Sequence, residues 1–432
     1  MNGQARILYI WRMDQNQLFT LALGITQPWK IESVEFSATQ KRLDIIIDFA
    51  PGSRFQLGGE SKDKNSYPAY DTVEKQWRHL DFFQHECYIK ARTPRVKKED
   101  GSIQLVTPPW AGREKGFTLL FEALLLQLLK CMAVKQVERL CRIDDDKLWN
   151  MIRHYVDDAR KNLDMSMLQT LGVDETSIRK GHKYVTLFVD TEKSQTLFVT
   201  EGKDSSTFSA FEADLINHGG ETSQVSTISM DMSPAFIKGA DAHFPSAQKV
   251  FDKFHIVKLF NVAVDKVRKQ EQKELGKENG KLLKDARWAI LKNKSNLTDK
   301  QKVTLASIEM HGQNLMTFKM LRMRESLQDA YRLATSASDF EARLKALRQW
   351  LLKSRLEPAI ELGNMMKEHW LGIISWFRLK ISNAILEGLN SLVKAAAARA
   401  RGFRTIRNYT TIIYLITGKL NFAAINPASG KC

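Results

Sequence analysis

Asp174 closes the apolar run "LGVD", Asp231 closes "VSTISMD", and Glu387 lies in "ISNAILEGLN". Two carboxylates at strand ends and a third on a helix suit one chemistry in particular, the metal-dependent breaking of phosphodiesters. That reaction uses carboxylates to bridge and flank two divalent ions about 4 Å apart. Hard ions such as Mg²⁺ or Mn²⁺ take oxygen ligands and keep several waters, so three protein carboxylates can suffice. One ion lowers the pKa of an attacking water or 3′-hydroxyl, and the other stabilises the leaving 3′-oxygen. Two acids followed by a glutamate occur in any protein; the elements between them give these three their weight.

Those elements follow a recognisable order. "MLQTLGVDE", "KYVTLFVDT" and "QTLFVTEG" read as three successive strands. A helix in "SSTFSAFEADLINHG", the strand "VSTISMDMS", a helix in "PAFIKGADAHF" and the strand "AQKVFD" come next. Three strands, then alternating helices and strands, is the order of a ribonuclease-H-like α/β core, which sets Asp174 and Asp231 side by side. Residues 371–402 read as one long helix. Along it Asn383, Glu387, Asn390 and Lys394 are spaced four, three and four apart and share a face. Such a stripe is usually the wet side of a helix, but here it mixes amides, a carboxylate and an amine. Lys394 fits a phosphate contact or an ordinary surface lysine. Asp252 and His255, in "FDKFH", follow the fifth strand and suit either a supporting role at the metals or a structural hydrogen bond. Glu175 and Asp190 read as turn or surface acids.

The 432 residues allow two to four domains, and 43% hydrophobic with 26% charged residues excludes wholesale disorder. Lys and Arg number 65 against 49 Asp and Glu, a net +16 with pI near 9.5. A surplus of that size points to a polyanion, nucleic acid first, with a plain basic enzyme as the alternative. Residues 253–302 hold 14 Lys or Arg against 6 Asp or Glu, half the net charge in 50 positions. Within that helical stretch Lys281, Lys284 and Arg287 suit phosphate contact. Trp288 suits a core position or, less commonly, stacking on a flipped base. Arg399, Arg401, Arg404 and Arg407 follow the Glu387 helix and suit the DNA backbone. The cysteines (Cys87, Cys131, Cys141, Cys432) form no C-x-x-C pair, which fits a reducing compartment. "FTLLFEALLLQLLKCMAV" carries Glu122, Gln127 and Lys130, so a buried helix is expected rather than a membrane span. The apolar part of "MNGQARILYIWRMDQ" is short for a signal peptide, so a cytoplasmic, nucleoid-associated protein is expected.

Upstream, residues 29–50 read as two strands, 51–75 as a loop, and "CYIKARTPRVKKEDGSIQLVTPPW" as a hairpin turning at "KEDG". Three helices follow, from Phe117 to Leu129, in "MAVKQVERL", and in "DDKLWNMIRHYVDDAR", the last capped by Asp144 with Ile143 stapled to Leu148. The spacing fits a helix-turn-helix or a plain helical hairpin. Lys147, Asn150, Arg153 and His154 face outward from the third helix. The expected division is a β module over 1–116, a helix-turn-helix domain over 117–165, the core over 166–258, an α-helical insertion over 259–368, and the catalytic helix with a basic tail over 369–432.

"GVDETSIRKGHKYVTLFVD", "SMDMSPAF", "FDKFHIVKLFNVAVDKVR" and "ISNAILEGLNSLVK", with "EKQWRHLDFFQHECYIKARTPRV" and "PPWAGREKGFTLLFEALL" upstream, resemble the ISL-three-type DDE transposases of bacterial insertion sequences. The resemblance runs from Gln15 to Phe422. It implies an α+β multidomain chain whose ribonuclease-H-like core is interrupted by an all-α insertion. It also implies an enzyme that binds terminal inverted repeats, frees 3′-hydroxyls and joins them to target DNA, working as a homodimer or larger assembly on DNA, without a membrane. Asp174, Asp231 and Glu387 are then the catalytic triad, holding two Mg²⁺ or Mn²⁺ ions, with Asp252, His255, Asn383 and Lys394 in support. A nuclease or resolvase that cuts without joining, and a binding protein derived from a transposase, are the rivals. The sequence departs from the family in its N-terminal module. "RFQLGGES" and "PRVKKEDG" stand where two zinc-binding cysteine pairs are usual, and His79, His85 and Cys87 are too sparse to replace them. No zinc is expected there. Metal analysis of the purified chain should find well under one zinc per molecule; a stoichiometric zinc whose chelation unfolds the module would contradict this.

Overall fold

The computed structural model describes residues 14–58, 61, 63–179, 183–293, 296–311, 315–379 and 384–422. The chain divides into two compact units: Met1–Lys161 with Ala396–Phe403 and Leu420–Cys432, and Asn162–Ala395 with Arg404–Lys419.

The first described element of this unit is α1 (Gln15–Leu23). Asp14 accepts from the Gln17 amide while the Gln17 side chain returns to the Asp14 N–H, closing a capping box. Among the described residues six strands follow: β1 (Trp29–Ser37), β2 (Arg42–Phe49), β3 (Arg54–Phe55), β4 (Tyr67–Phe82), β5 (His85–Lys97) and β6 (Ile103–Leu105). They form one sheet in the order β1-β2-β5-β4-β3, with β6 on β5. Residues 67–75 are therefore strand, not the expected loop. Their polar composition hides a long ribbon whose charges pair across strands, as Asp71 does with Arg95. The core beneath is apolar, built on Trp29, Ile45, Ile47, Trp77, Ile89 and Trp110. Cys87 is buried in it, and burial pushes its thiol up to about 12. A thiol held protonated is a packing group rather than a metal ligand.

Helices α2 (Leu119–Cys131), α3 (Val134–Cys141) and α4 (Asp145–Lys161) occupy the positions expected for the three-helix segment. Arg142, at φ 56°, makes the left-handed turn between α3 and α4. Leu148, Met151, Ile152, Tyr155 and Val156 form the buried face of α4. A single buried carboxylate fixes this segment. Glu122 on α2 accepts from the backbone N–H groups of Arg113 (3.0 Å) and Glu114 (2.6 Å) and from the Tyr155 hydroxyl. It thereby ties the loop after the sheet to α4.

The second unit is built on β7 (Thr170–Arg179), β8 (Lys183–Asp190), β9 (Gln195–Glu201), α5 (Ser206–Asn217), β10 (Thr227–Met230), α6 (Pro234–His243) and β11 (Gln248–Phe251). The sheet order is β11-β10-β7-β8-β9. β7–β8 and β8–β9 are antiparallel, whereas β10 runs parallel to both β7 and β11. Phe188, Phe208, Phe211, Phe236 and Phe244 pack on one face, Phe188 and Phe211 stacked at 4.4 Å.

Among the described residues seven helices follow: α7 (Lys253–Glu274), α8 (Gly276–Asp285), α9 (Arg287–Leu291), α10 (Asp299–His311), α11 (Met316–Leu333), α12 (Ala337–Leu352) and α13 (Glu357–Glu368). "GKENGK" does not break the chain as expected; it opens α8, with only Gly276 left-handed at φ 78°. Of the long helix expected over 371–402, the described residues form α14 (Trp370–Leu379) and α15 (Ala384–Arg399), and residues 380–383 lie outside those described. α16 (Ile406–Thr417) was not anticipated. It packs against edge strand β9, where the Tyr414 hydroxyl accepts from the Val199 N–H (2.8 Å) and the Gln195 amide donates to the Gly418 carbonyl (2.7 Å). None of the described helices is long and apolar enough to cross a membrane.

Glu122→Ala strands three donors and opens a cavity, so it should cost about 3 kcal/mol in denaturant unfolding followed by tryptophan fluorescence. A loss below about 1 kcal/mol would show that the carboxylate is not the tie.

Candidate active site

Strand register places the acids. β10 pairs with β7 through Ser229 and Gly172, and with β11 through Met230 and Phe251. Continued past the last pairs, the register sets Asp231 beside Asp174 on one side and Asp252 on the other. Three carboxylates thus stand at one level across three adjacent parallel strands, which lie about 4.8 Å apart. Asp231 and Asp252 follow the ends of β10 and β11, whereas Asp174 lies within β7, opposite Leu187 of β8, and not at the strand end expected. The segment ends orient them. Asp231 Oδ1 accepts from the Ser233 N–H (2.9 Å) at the start of α6, and Asp252 caps α7, accepting from the Phe254 N–H (3.1 Å).

Asp174 is held from two sides. Oδ1 accepts from the Glu175 N–H at 2.8 Å, and Oδ2 accepts from the Asn390 side-chain amide at 2.5 Å. Burial raises the Asp174 pKa to about 6, against a lowering by the Glu175 N–H and by His255, with the carboxylates of Asp231 and Asp252 adding to the rise. His255 Nδ1 stands 3.3 Å from Asp252 Oδ2, an ion-pair distance without the alignment of a hydrogen bond. The His255 pKa is raised, chiefly by Asp252. Asp252 itself is buried.

Helix α15 reaches this sheet because β7 carries glycine where they meet. A Cβ on Gly172 would lie 3.0 Å from Leu386 and 2.9 Å from Thr191. Leu386, Leu389, Asn390 and Val393 form the buried face of α15. Asn390, read as part of a wet stripe, is thus inside, while Leu392 is 53% exposed. Glu387 and Lys394 are exposed on α15; Asn383 lies outside the described residues. The structure brings together Asp174, Asp231, Asp252, His255 and Asn390. Among the described residues no three His, Cys, Asp or Glu side chains, these acids and His255 included, stand as a ready metal cluster, and Glu387 is exposed on α15. The donor set still fits a hard divalent ion, because carboxylate oxygens dominate it and the buried Asn390 Oδ1 has no hydrogen-bond partner.

The expected DNA contacts divide. Lys147 and Asn150 are exposed on α4, whereas Arg153 is half-buried, 3.2 Å from Asn150 Oδ1 and over the Trp149 ring. A cavity of about 520 Å³ next to α4 is lined by Arg78, Arg139, Arg142 and Lys147, among others. Lys281, Lys284 and Arg287 are exposed, Arg287 at 3.6 Å from the Asp265 carboxylate. Trp288 is 61% exposed, which overturns the core reading: Ala289 and Ile290 fill that place instead. Arg401, Arg404 and Arg407 are exposed. Arg399 differs, since its guanidinium donates to the Cys131 carbonyl at the end of α2.

Residues 171–413 match a family model described as a transposase, and residues 106–156 match the helix-turn-helix domain of transposase family ISL3. The chain is 27% identical over 395 residues to the transposase for insertion sequence element IS1001 of Bordetella parapertussis, covering 89% of this chain and 94% of that protein. It is 24% identical over 421 residues to the transposase for insertion sequence element IS1557 of Mycobacterium tuberculosis, covering 91% and 93%.

The raised pKa of Asp174 has a measurable sign. The folded state holds the proton more tightly than the unfolded state, with a pKa of about 6 against the ordinary 3.8. Stability contributed by that proton is complete below the unfolded value and is lost as pH rises through about 6. Without metal at pH 7.5, Asp174→Asn should therefore stabilise the chain by about 1–2 kcal/mol, and the gain should vanish near pH 4. A variant equal to or weaker than the parent at pH 7.5 would contradict burial of an ionised carboxylate.

Proposed function

This chain belongs to the ISL3-type family of DDE transposases, and from that premise we propose that it cuts the ends of an insertion sequence and joins them to target DNA. The observation that carries the reading is the line of Asp174, Asp231 and Asp252 across three parallel strands, reached by α15 through Asn390. The strand order β11-β10-β7-β8-β9, with antiparallel pairs on one side of β7 and parallel pairs on the other, supports a ribonuclease-H-like core. The helices from α7 to α13 are then its insertion, and Met1–Lys161 holds the module and helix-turn-helix that recognise the terminal inverted repeats.

Asp174, Asp231 and Glu387 hold the catalytic ions, with Asp252 and His255 behind them. Two Mg²⁺ or Mn²⁺ ions, when bound, supply nucleophile activation and charge neutralisation at the leaving 3′-oxygen. The chain's own part is to hold donor oxygens and place the phosphodiester. The Glu175 N–H and the Asn390 amide fix the Asp174 carboxylate, and the Ser233 N–H fixes Asp231. Glu387, one turn before Asn390, is positioned to close over the strand ends once a cation offsets the repulsion among the acids. Lys394 and the exposed Lys281, Lys284 and Arg287 take phosphates, and Trp288, with the Arg287 guanidinium 5.0 Å from its ring, offers a surface on which a base can stack. Arg401, Arg404 and Arg407 contact the DNA backbone, while Lys147, Asn150 and Arg153 serve end recognition. The N-terminal module works without zinc on its tryptophan-rich core. Both ends must be held at once, so the working form on DNA is at least a dimer, acting in the bacterial cytoplasm.

Asp174→Asn, Asp231→Asn and Glu387→Gln keep size but remove one anionic donor each. Cleavage of end-bearing DNA and strand transfer from a pre-cut end should both fall by several orders of magnitude, with DNA affinity held within a few fold. Near-parental rates for Glu387→Gln would remove it from the triad, and cleavage without strand transfer in the parent would favour a nuclease.

A further inference from the structure

Asn390 is spent in a way that helix packing does not explain. The other buried positions of α15 that face the sheet are Leu386, Leu389 and Val393, any of which packs without a polar group. Asn390 is 6% exposed, donates to Asp174 Oδ2 at 2.5 Å, and leaves its own Oδ1 buried without a hydrogen-bond partner. An amide oxygen stranded in this way costs about 1–3 kcal/mol. The direction of the amide is not in doubt, because an ionised carboxylate only accepts, so the group facing it must be the NH₂. The contact also bridges 216 positions of sequence, joining the first strand of the core to the helix that carries Glu387.

We propose that Asn390 is a positioning residue of the active centre, whose amide nitrogen holds the Asp174 carboxylate while its amide oxygen stays free to accept a hydrogen bond from water at the strand-end acids. This rests on the proposed function above. With Oδ1 held by the Glu175 N–H and Oδ2 by Asn390, the Asp174 carboxylate has one orientation, and each oxygen keeps further acceptor capacity for a cation. The free Asn390 oxygen is a neutral hard donor, able to orient a bound water without adding charge to a site already crowded with carboxylates. The same bond anchors α15 one turn beyond Glu387, whose Cβ lies about 5–6 Å from that of Asn390. Asn390 thus sets both the rotamer of one acid and the reach of another.

The test uses the full-length chain, MnCl₂ as the probe, and thermal unfolding beside cleavage of end-bearing DNA. In the parent, Mn²⁺ should raise the melting temperature. In Asn390→Ala the Mn²⁺ midpoint should move up by about 10-fold or more, in melting and in cleavage alike, with DNA affinity unchanged. Asn390→Asp is the same size but cannot donate. It should melt lower than the parent without metal and gain more than the parent from Mn²⁺. A purely structural pin predicts a lower melting temperature with an unchanged Mn²⁺ midpoint, and that result overturns the proposal. If the alanine variant fails to fold, the aspartate variant decides: parental melting without metal and a parental midpoint overturn it. A parent that neither gains stability from Mn²⁺ nor cuts DNA overturns the proposed function and the role of Asn390 with it. A parent that does both, beside variants that match it, overturns Asn390 alone.

Discussion

Parallel pairing of β10 with both β7 and β11 is the constraint on which the rest of the second unit depends. Parallel neighbours in register point equivalent side chains the same way, so Asp231 and Asp252, each one residue past its strand, align with Asp174 inside β7 in a row of acids. A slip of one residue in either pairing would send one carboxylate to the opposite face. The register is secured by what lies beneath it. Ile228, Met230, Val250 and Phe251 are buried, and the phenylalanine cluster on α5 and α6 fills the layer behind them. An apolar core therefore does the electrostatic work of bringing like charges together.

That arrangement is costly until something positive arrives. Asp174 is pushed toward protonation by burial, and the acids beside it push the same way. His255 relieves part of the repulsion from the far end of the row, next to Asp252. The remainder is an unfilled demand for cation at one end of the sheet, as expected of a site that trades stability for function. The first unit shows the opposite solution. Glu122 is as buried as any described residue, yet three donors meet it and make its carboxylate a structural tie. Partnered and partly unpartnered carboxylates mark the difference between a tie and a site.

Much of this was legible in the sequence because it is written in local patterns. The apolar run ending in Asp231 gave the end of β10, whereas β7 runs on past Asp174 to Arg179, and the order of strands and helices gave the adjacency of the two acids. The "CRIDDDKL" turn gave the start of α4. Features that depend on long-range partners were harder to read. The strand at 67–75 looked like loop because its charges are paired across β4 and β5 rather than by apolar alternation. Asn390 looked like surface because an amide three residues after a glutamate fits a wet stripe, and only the fold brings Asp174 to it. Trp288 looked like core because tryptophan usually is, while the small neighbours Ala289 and Ile290 take the interior. Arg399 looked like a DNA contact until the Cys131 carbonyl, 268 positions away, met it. α16 carried its own signal in "TTIIYLIT", an apolar run long enough for a strand but used as a helix against β9.

The central claim is that the strand-end acids and Glu387 converge on divalent cations. Anomalous diffraction from crystals of the chain grown with Mn²⁺ and end-bearing DNA tests it most directly. The account predicts manganese between Asp174 and Asp231, with Glu387 swung in to complete the ligand set. Manganese absent from the strand ends, or held there without Asp174, would contradict it.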